Sequence, residues 1–242
     1  MQAVLFASGL NTRVRHLHPD LPKAMFPLGN RPYLDYYIET LFKEGVDEII
    51  IVVYHLAHVI RDYFSDRPEM KTGKIKIVKR KESHGPVGAL VAIETLLQDR
   101  FLLFYCDILF KADLKAAFSK LGNSKIKALT FLTKDEFGMW DDLEAQIDEA
   151  NQLVTDFNPG AYSHENGWMD VGQVYKKDPI IAMLKRCPPE NEHFNLSIWP
   201  ELMAKNQLTY HKVGPVFDIG TEKNYGLTKK LFTEKRLDAL NS

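Results

Sequence analysis

The sequence is short of cysteine, of long apolar runs and of net charge, and each shortage narrows what the protein can be. Its two cysteines are too few for a disulfide framework or a cysteine-rich zinc site, and they suit a reducing compartment. No apolar segment reaches the length that spans a membrane. With 31 basic and 32 acidic residues the net charge is −1, so nothing global indicates nucleic acid or an anionic membrane as a partner. Any anion-binding site must therefore be local.

Strand-like residues begin at the second position, which leaves no room for a secretory signal peptide. We therefore expect a cytoplasmic protein. The length of 242 residues allows one large domain or two modest ones, and we favour a single domain over residues 1–242. Its pattern changes character near residue 122.

The first 122 residues alternate between strand and helix patterns. Apolar runs predict strands over 2–7, 47–54, 74–80 and 101–107. Apolar residues at three- and four-residue spacing predict helices over 34–42, 56–64 and 87–97. This alternation predicts parallel βαβ units in an α/β fold, a doubly wound, mostly parallel mixed sheet of Rossmann-like type.

The second half is less regular. We predict a strand over 125–133, a β-ribbon over 145–157, a loop over 158–167 and a closing helix over 221–240. The loop is predicted because the segment is rich in Asn, Pro, Gly, Ser and His. Irregular halves of this kind usually supply a lid or a second-substrate pocket.

Positive charge is concentrated in the loop after the first strand, "LNTRVRHLHPDLPKAMFPL". The loop lacks both G-x-x-x-x-G-K-[ST] and G-x-G-x-x-G. Its small-residue start can nevertheless turn backbone N–H groups towards an anion, and Asn11 tolerates a positive φ. Arg13 and Lys23 could cover phosphate oxygens, with Pro22 fixing the backbone before Lys23. The alternative is a solvated basic loop.

Two aspartates end apolar strands, Asp107 in "FLLFYCD" and Asp218 in "PVFDIGT". Either one alone could simply cap the next turn. Ligands of open α/β sheets bind outside the carboxyl ends of the strands, where the basic loop also lies. A pair of aspartates meeting there suggests a magnesium site, since Mg²⁺ takes one or two carboxylates and completes its coordination with phosphate and water.

A series of motifs resembles the sugar-1-phosphate nucleotidyltransferases, also called nucleotide-sugar pyrophosphorylases. "ASGLNTRVRHLHPDLPKAMFPLGNRP" resembles their N-terminal signature A-G-G-x-G-T-R-L-x-P-L-T followed by P-K-P-M. "GVDEIIIVV", "ESHGPVGAL", "FLLFYCDILF", "FGMW", "WMDVGQVY" and "VFDIGTEKNY" continue the resemblance in order along nearly the whole chain.

The resemblance implies transfer of a nucleoside monophosphate from a nucleoside triphosphate to a sugar 1-phosphate, with release of pyrophosphate. It divides the chain into a nucleotide-binding half, 1–122, and an acceptor-binding half with the C-terminal helix, 123–242. It implies catalytic roles for Arg13 and Lys23, Mg²⁺ on Asp107 and Asp218, and acceptor contacts from Gly138 and Asp170. The nucleotide-binding residues implied are Ala7, Ser8, Gly9, Leu10, Asn11, Glu82, Gly85 and Gly88.

The chain also departs from the family pattern. The family's E-K-P lysine, which binds the acceptor phosphate, is absent, and Lys134, Lys176 and Lys177 are the candidate replacements. A catalytically weak or inactive nucleotide-sugar-binding regulatory homologue is therefore the alternative function. A glycosyltransferase is disfavoured because no D-x-D motif is present. We favour a purine base from the "ESHGPVGAL" turn, and a homo-oligomer stays open.

Two further groups of residues have a functional and a structural interpretation. His55 and His58 lie at i,i+3 spacing but lack a third metal ligand, so a structural role is favoured. Trp140, Trp168 and Trp199 could stack on a sugar or base, although core packing is the commoner use of tryptophan.

Overall fold

A computed structural model of the protein describes residues 1–81, 84–122, 125–191 and 194–233. The strands are β1 (Gln2–Ala7), β2 (Pro27–Leu28), β3 (Arg31–Pro32), β4 (Glu48–Val53), β5 (Ile75–Lys79), β6 (Arg100–Tyr105), β7 (Ile108–Phe110), β8 (Ala128–Thr133), β9 (Leu143–Asp148), β10 (Leu153–Tyr162), β11 (Met169–Lys176), β12 (Leu208–Lys212) and β13 (Val216–Asp218). The helices are α1 (Tyr33–Lys43), α2 (Ala57–Phe64), α3 (Pro68–Lys71), α4 (Pro86–Ala92), α5 (Leu114–Lys120), α6 (Lys177–Leu184), α7 (Phe194–Ala204) and α8 (Glu222–Thr233). In the described ranges no helix is both long and apolar enough to cross a membrane.

Strands from both halves of the chain join one nine-stranded sheet in the order β5-β4-β1-β6-β11-β8-β12-β10-β9. Strands β5, β4, β1 and β6 are mutually parallel, as the βαβ alternation predicts. All strands of the sheet except β10 and β11 run in the same direction. The predicted α/β class with a mostly parallel, Rossmann-like mixed sheet is confirmed. The assignment of residues 1–122 and 123–242 to nucleotide and acceptor stays a prediction.

The sheet has a hydrophobic core on each face, because its central strands are apolar on both sides. In β1, Ala3 and Leu5 face a core shared with α1, α2, α5 and α8, whereas Val4 and Phe6 face a core shared with α4, α6 and α7. Every residue of β1 is buried. This two-sided burial holds the carboxyl ends of the parallel strands at one common edge, called here the rim.

The rim receives segments that are distant in sequence. The basic loop leaves β1 there, and the Cys106 amide donates to the Phe6 carbonyl (3.1 Å), which places Asp107 beside that loop. A two-stranded ribbon, β7 with β13, pairs Ile108 with Asp218. Because β11 is antiparallel to β6, its first residues, including Asp170, also lie at the rim.

The predicted loop over 158–167 is partly wrong, because β10 continues to Tyr162. β10 pairs with β12 only at Leu153, so its later residues lie in an outer part of the sheet. Pro159, which has no N–H to donate, is tolerated there because no neighbouring strand in the described ranges requires that hydrogen bond. A register shift between Phe157 and Tyr162, with Gly160 at φ 73°, absorbs the irregular residues. The closing helix is observed as α8, and the rest of the predicted 221–240 range beyond 233 lies outside the described residues.

Candidate active site

A cavity of about 500 Å³ opens at the rim, directly above the ends of β1 and β6. Five of the predicted nucleotide-binding residues line it, together with Lys23 and Asp107. Its described lining is Phe6, Ala7, Ser8, Gly9, Leu10, Asn11, Thr12, Lys23, Ala24, Arg80, Pro86, Tyr105, Cys106 and Asp107. A cavity of this volume is in the range that holds a small organic ligand.

The loop that follows β1 makes a tight turn at Asn11. Asn11 has φ 56°, which confirms the expectation of a positive φ, and its carbonyl accepts from the amides of Val14 (3.0 Å) and Arg15 (2.7 Å). The Arg15 guanidinium donates to the Leu10 carbonyl (2.6 Å), so this arginine holds the loop rather than a ligand. The turn leaves Gly9 and Leu10 exposed at the cavity.

Lys23 is aimed at Asp107 by the local backbone. Pro22 is extended (φ −67°) and is followed by a 3₁₀ turn over Lys23–Met25. Ala24 and Met25 in this turn are buried, which anchors the backbone beside Lys23. The Lys23 Nζ lies 2.6 Å from Asp107 Oδ2, and the two side chains are 18% and 21% exposed. A partly buried ammonium and carboxylate at the wall of a cavity can exchange this partner for a charged ligand.

Asp107 and Asp218 meet through backbone pairing. The Ile219 amide donates to the Asp107 carbonyl (2.9 Å), and the Gly220 amide donates to Asp218 Oδ1. A Cβ at Gly220 would lie 2.9 Å from Asp218 Oδ1 and 3.6 Å from Asp107 Oδ2. Both carboxylates therefore border the small space that glycine leaves there.

Burial, and next the negative charge of Asp107, raises the pKa of Asp218 to about 6. Two carboxylates facing each other disfavour joint ionisation, and a cation between them removes that penalty. Among the described residues, no group of three or more His, Cys, Asp and Glu side chains is placed to hold a metal ion. The pair is suited to Mg²⁺, which needs only one or two protein carboxylates when phosphate and water supply the other ligands.

Tyr33 joins the two aspartate-bearing segments from below. Its hydroxyl donates to the Phe217 carbonyl and lies 3.4 Å from the Asp107 carbonyl. Tyr33 is fully buried, and burial followed by the charge of Asp218 raises its pKa, which keeps the hydroxyl a proton donor. Tyr33 thus holds the two aspartate-bearing segments together.

The structure does not bring every predicted residue into this cluster. Arg13 is exposed, does not line the cavity and makes no hydrogen bond or ion pair to another described residue. Glu82 lies outside the described residues. The catalytic role of Arg13 and the nucleotide role of Glu82 stay predictions.

Gly85 and Gly88 pack against protein backbone. A Cβ at Gly85 would lie 2.4 Å from the Asn191 carbonyl oxygen, and one at Gly88 would lie 2.5 Å from the Pro189 carbonyl oxygen. The Pro189 carbonyl also accepts from both glycine amides, at 2.9 and 3.0 Å. These protein contacts by themselves are enough to require glycine at both positions. The predicted contacts of Gly85 and Gly88 with a nucleotide stay predictions.

Sequence reasoning missed Arg80, which lines the cavity. Its guanidinium lies 4.0 Å from the centroid of the Tyr54 ring and donates to the His84 carbonyl. Arg80 follows β5 directly, so the rule that located Asp107, polar residues just past parallel strands, would have found it too.

A family model described as nucleotidyl transferase matches residues 2–139, which is more than half of the chain. The chain belongs to the nucleotidyl transferase family. The resemblance to sugar-1-phosphate nucleotidyltransferases is thereby confirmed.

Relatives of this nucleotidyl transferase include the D-glycero-alpha-D-manno-heptose 1-phosphate guanylyltransferase of Campylobacter jejuni, 35% identical over 126 residues, which are 52% of this chain and 55% of the relative. The UTP–glucose-1-phosphate uridylyltransferase AglF of Haloferax volcanii is 31% identical over 114 residues, 47% of this chain and 46% of the relative. The chain thus matches about half the length of these two relatives.

Solved structures confirm the fold over nearly the whole nucleotidyl transferase chain. HddC from Yersinia pseudotuberculosis superposes with a TM-score of 0.76 at 20% identity, covering 96% of this chain and 99% of HddC. The inositol-1-phosphate CTP transferase from T. maritima gives 0.74 at 15% identity, covering 95% of each chain.

On the predicted acceptor side, Asp170 is saturated with hydrogen bonds. Oδ1 accepts from Thr130 (2.6 Å) and the Gly172 amide (3.3 Å), while Oδ2 accepts from Gln173 (2.5 Å) and Asn195 (2.7 Å). Asp170 is only 9% exposed. It therefore orders its neighbours in this nucleotidyl transferase, and its direct contact with an acceptor stays a prediction.

Gly138 lies in a turn that Asp135 holds. The two Asp135 oxygens accept from the amides of Met139 (2.8 Å) and Trp140 (2.9 Å). Gly138 has φ 67°, and a Cβ there would meet no atom within 4 Å. The backbone conformation, rather than space, selects glycine at this predicted acceptor contact.

The three candidate replacements for the family lysine are at opposite edges of the sheet. Lys176 ends β11 opposite Arg100, the first residue of β6, and Lys177 follows it, so both are far from the rim. Lys134 follows β8 at the rim, where its Nζ lies 2.5 Å from the Gly167 carbonyl and 4.5 Å from the Trp168 ring centroid. Burial and the charge of Lys212 lower the pKa of Lys134.

The tryptophans and histidines fall in different places. Trp199 is fully buried and donates to the Tyr175 hydroxyl (3.0 Å), so it belongs to the core. Trp168 has Lys134 and Lys212 over its ring. Trp140 is partly buried against the other core. His55 and His58 belong to no group of three or more potential metal ligands among the described residues.

The buried carboxyl group of Glu144 should make the stability of the protein depend on pH. Burial and the neighbouring Asp170 raise the pKa of Glu144 from 4.5 to about 8. Between these values the unfolded chain loses a proton that the folded protein keeps, so stability falls as pH rises. We expect Glu144→Gln to remove up to about 1.4 kcal/mol per pH unit of this decline.

Urea unfolding of the wild type and Glu144→Gln at pH 5, 7 and 9 measures this effect. The advantage of the variant should grow with pH and level off above about pH 8. Glu149→Gln, an exposed glutamate on the same hairpin, is the control and should keep the wild-type slope. Parallel stability curves for Glu144→Gln and the wild type would show that Glu144 ionises normally in the folded protein.

Proposed function

We propose that this protein transfers a nucleoside monophosphate from a nucleoside triphosphate to a sugar 1-phosphate or a related phosphorylated acceptor, releasing pyrophosphate and forming a nucleotide sugar. The observation that supports this proposal is the meeting of Lys23, Asp107 and Asp218 beside a cavity walled by the loop after β1. Membership of the nucleotidyl transferase family supports the same reaction class.

The charges of the site suit this reaction. A phosphate oxygen that attacks an anionic phosphorus is repelled by about 4 kcal/mol per pair of unit charges at 4 Å and an effective dielectric near 20. That energy corresponds to about three orders of magnitude in rate. Lys23 offers a positive charge at the cavity wall, and we propose that Arg13 joins it when the loop meets a triphosphate.

No general base is needed for the proposed reaction. A phosphate monoester has its second pKa near 6, so the attacking oxygen is largely deprotonated at neutral pH. The site has to position and neutralise two anions, which is the usual task of a phosphoryl-transfer site.

We propose Mg²⁺ as the cofactor, held by Asp107 and Asp218. The space that a Cβ at Gly220 would fill is bordered by both carboxylates, and burial followed by the charge of Asp107 raises the pKa of Asp218, a penalty that a cation between them would offset. When bound, Mg²⁺ would neutralise charge on the phosphates. The residues of the protein hold that position through the backbone pairing of β7 with β13 and the Tyr33 hydroxyl.

The base and the sugar also belong to the proposal. The relatives are named for guanylyl and uridylyl transfer, so the likeness leaves the base open. We propose a purine, on the resemblance of the "ESHGPVGAL" turn to guanylyl- and adenylyl-transferring enzymes. We propose the cytoplasm as the site of action and surface polysaccharide synthesis as the use of the product.

The test is pyrophosphate release measured with Mg²⁺ for each common nucleoside triphosphate against a panel of sugar 1-phosphates. We expect one combination to exceed the others clearly, with a purine nucleotide. If a nucleotide sugar binds in calorimetry and no pair of substrates is turned over, the result would instead support the regulatory homologue. The missing family lysine and the internally hydrogen-bonded Asp170 are the reasons to test for it.

Lys134 is the replacement that we propose for the missing acceptor-phosphate lysine, since it is the one of the three candidates that lies at the rim. Burial, and next the charge of Lys212, lowers the pKa of Lys134, and a phosphate between the two lysines would relieve their mutual repulsion. Charged hydrogen bonds contribute about 1.5–3 kcal/mol. We therefore expect Lys134→Met to raise the KM for the acceptor roughly 10- to 100-fold and to leave the KM for the triphosphate unchanged.

Initial rates with each substrate varied in turn separate the two KM values. Lys176→Met, at the opposite edge of the sheet, is the matched control and should leave both unchanged. An unaltered acceptor KM in Lys134→Met would remove Lys134 from the proposed site.

A further inference from the structure

Helix α8 donates hydrogen bonds to Asp218, the second of the two proposed metal ligands. Asn224, in the first turns of α8, is 1% exposed and donates through Nδ2 to Asp218 Oδ2. The Gly220 amide donates to the other oxygen, Oδ1. One turn further along α8, the Thr228 hydroxyl donates to the Asp218 carbonyl (2.7 Å).

The orientation of the Asn224 amide follows from the chemistry of its partner. An ionised carboxylate only accepts hydrogen bonds, so the NH₂ group must face Asp218 and the carbonyl must face away. Asn224 Oδ1 is indeed buried without a hydrogen-bond partner among the described residues. A buried acceptor without a partner is destabilising, so this asparagine is not an optimal choice for stability alone.

The helix itself is fixed against the basic loop. The Tyr225 hydroxyl donates to the Pro27 carbonyl (2.7 Å), and its ring lies 5.4 Å from the Phe26 ring, three residues after Lys23. His16 in the loop pairs with Glu222 at the start of α8 (3.1 Å). The same helix thus contacts the segment that carries Lys23 and the aspartate that faces Asp107.

We infer that Asn224 is a positioning residue that sets the affinity of the site for its divalent cation. This inference rests on the proposed function, because it takes Asp218 as a metal ligand. With one donor on each oxygen, Asp218 keeps its other lone pairs for a cation and cannot rotate to offer a different edge. Partners that orient a metal ligand typically change metal affinity 10- to 100-fold when they are removed.

The direct test is Mn²⁺ binding, measured from the free-ion signal in electron paramagnetic resonance, for the wild type and Asn224→Ala. We expect the dissociation constant to rise 10- to 100-fold, and the Mg²⁺ concentration for half-maximal rate to rise in parallel, with kcat at saturating Mg²⁺ changed far less. Lys223→Ala, on the exposed side of the same turn, is the matched control and should bind Mn²⁺ like the wild type.

Two further variants keep the outcomes distinct. Thr228→Val removes the hydrogen bond from α8 to the Asp218 carbonyl and hardly changes the size of the side chain. It should also weaken Mn²⁺ binding, and this result can be obtained even if Asn224→Ala does not fold. Asp218→Asn should abolish specific Mn²⁺ binding. If Asp218→Asn binds normally, or the wild type binds no Mn²⁺, the metal assignment in the proposed function fails. If only Asp218→Asn loses binding, while Asn224→Ala and Thr228→Val retain it, the inference about α8 is wrong and the metal site stands.

Discussion

Replacing Asp107 or Asp218 by asparagine is expected to lower kcat by about three orders of magnitude or more while the fold is retained. Each substitution removes one negative charge from a pair that borders the same small space. A divalent cation contributes several kcal/mol to stabilising charge in a phosphoryl-transfer transition state, and each 1.36 kcal/mol is tenfold in rate. Asparagine preserves the shape of the side chain, so packing is little altered.

The two variants should also differ in stability. The pKa of Asp218 is raised by burial and by Asp107, so Asp218→Asn removes an unfavourable buried charge. The new NH₂ group also loses the hydrogen bond from either Gly220 or Asn224, so we expect the two effects to offset each other and the melting temperature to change little. Asp107→Asn breaks the ion pair with Lys23, and we expect a small loss of stability.

Pyrophosphate release at saturating substrates and thermal melting measure the effects of these two substitutions. Asp113→Asn is the control, since Asp113 caps α5 at an exposed position and asparagine caps equally well. A wild-type rate in either Asp107→Asn or Asp218→Asn would contradict the metal assignment.

Most of the parallel half of the sheet could be predicted from the sequence, because its strands are buried on both faces and read as continuous apolar runs. The run over 47–54 became β4 and the helical spacing over 34–42 became α1, each within a residue or two. Strand β11 is different. Nothing in the local pattern of residues 169–176 says that this strand inserts, antiparallel, between β6 and β8. That placement depends on pairing between distant segments.

The site was predictable to the extent that strand ends predict it. Asp107 and Asp218 could be found because each directly follows an apolar run, and Lys23 because proline fixes the turn before it. Asn224 could not be found in this way. Its role comes from a helix that begins after Asp218 and folds back on it, which is a feature of tertiary packing rather than of local pattern.

Asp170 shows how a motif position can acquire a different environment. The resemblance implies an acceptor contact for Asp170, yet its four donors include Thr130, 40 residues earlier, and Asn195, 25 residues later. Only the folded chain shows that its acceptor capacity is used internally. The same contacts leave the Gln173 and Asn195 carbonyl oxygens buried without partners among the described residues, so acceptor recognition is not a matter of Asp170 alone.

Replacing Lys23 by methionine is expected to lower kcat by about two to three orders of magnitude. Unlike the Asp218→Asn substitution, it should also lower the Mg²⁺ concentration needed for half-maximal rate. The change removes the cation that lies 2.6 Å from Asp107 and lines the cavity. One unit charge at about 4 Å from a developing negative charge is worth about 4 kcal/mol at an effective dielectric of 20. Methionine keeps most of the length of the side chain, so the loss is one of charge.

The effect on the metal distinguishes Lys23→Met from the aspartate variants. Without Lys23, Asp107 loses its positive partner and the carboxylate pair becomes more negative, so the Mg²⁺ concentration for half-maximal rate should fall while kcat drops. For Asp218→Asn that concentration should rise. Lys205→Met, which breaks an exposed pair with Glu201, is the control and should change neither quantity. If Lys23→Met weakened Mg²⁺ binding, Lys23 would be supporting the aspartates structurally rather than competing with a cation for Asp107, and its catalytic assignment would have to be abandoned.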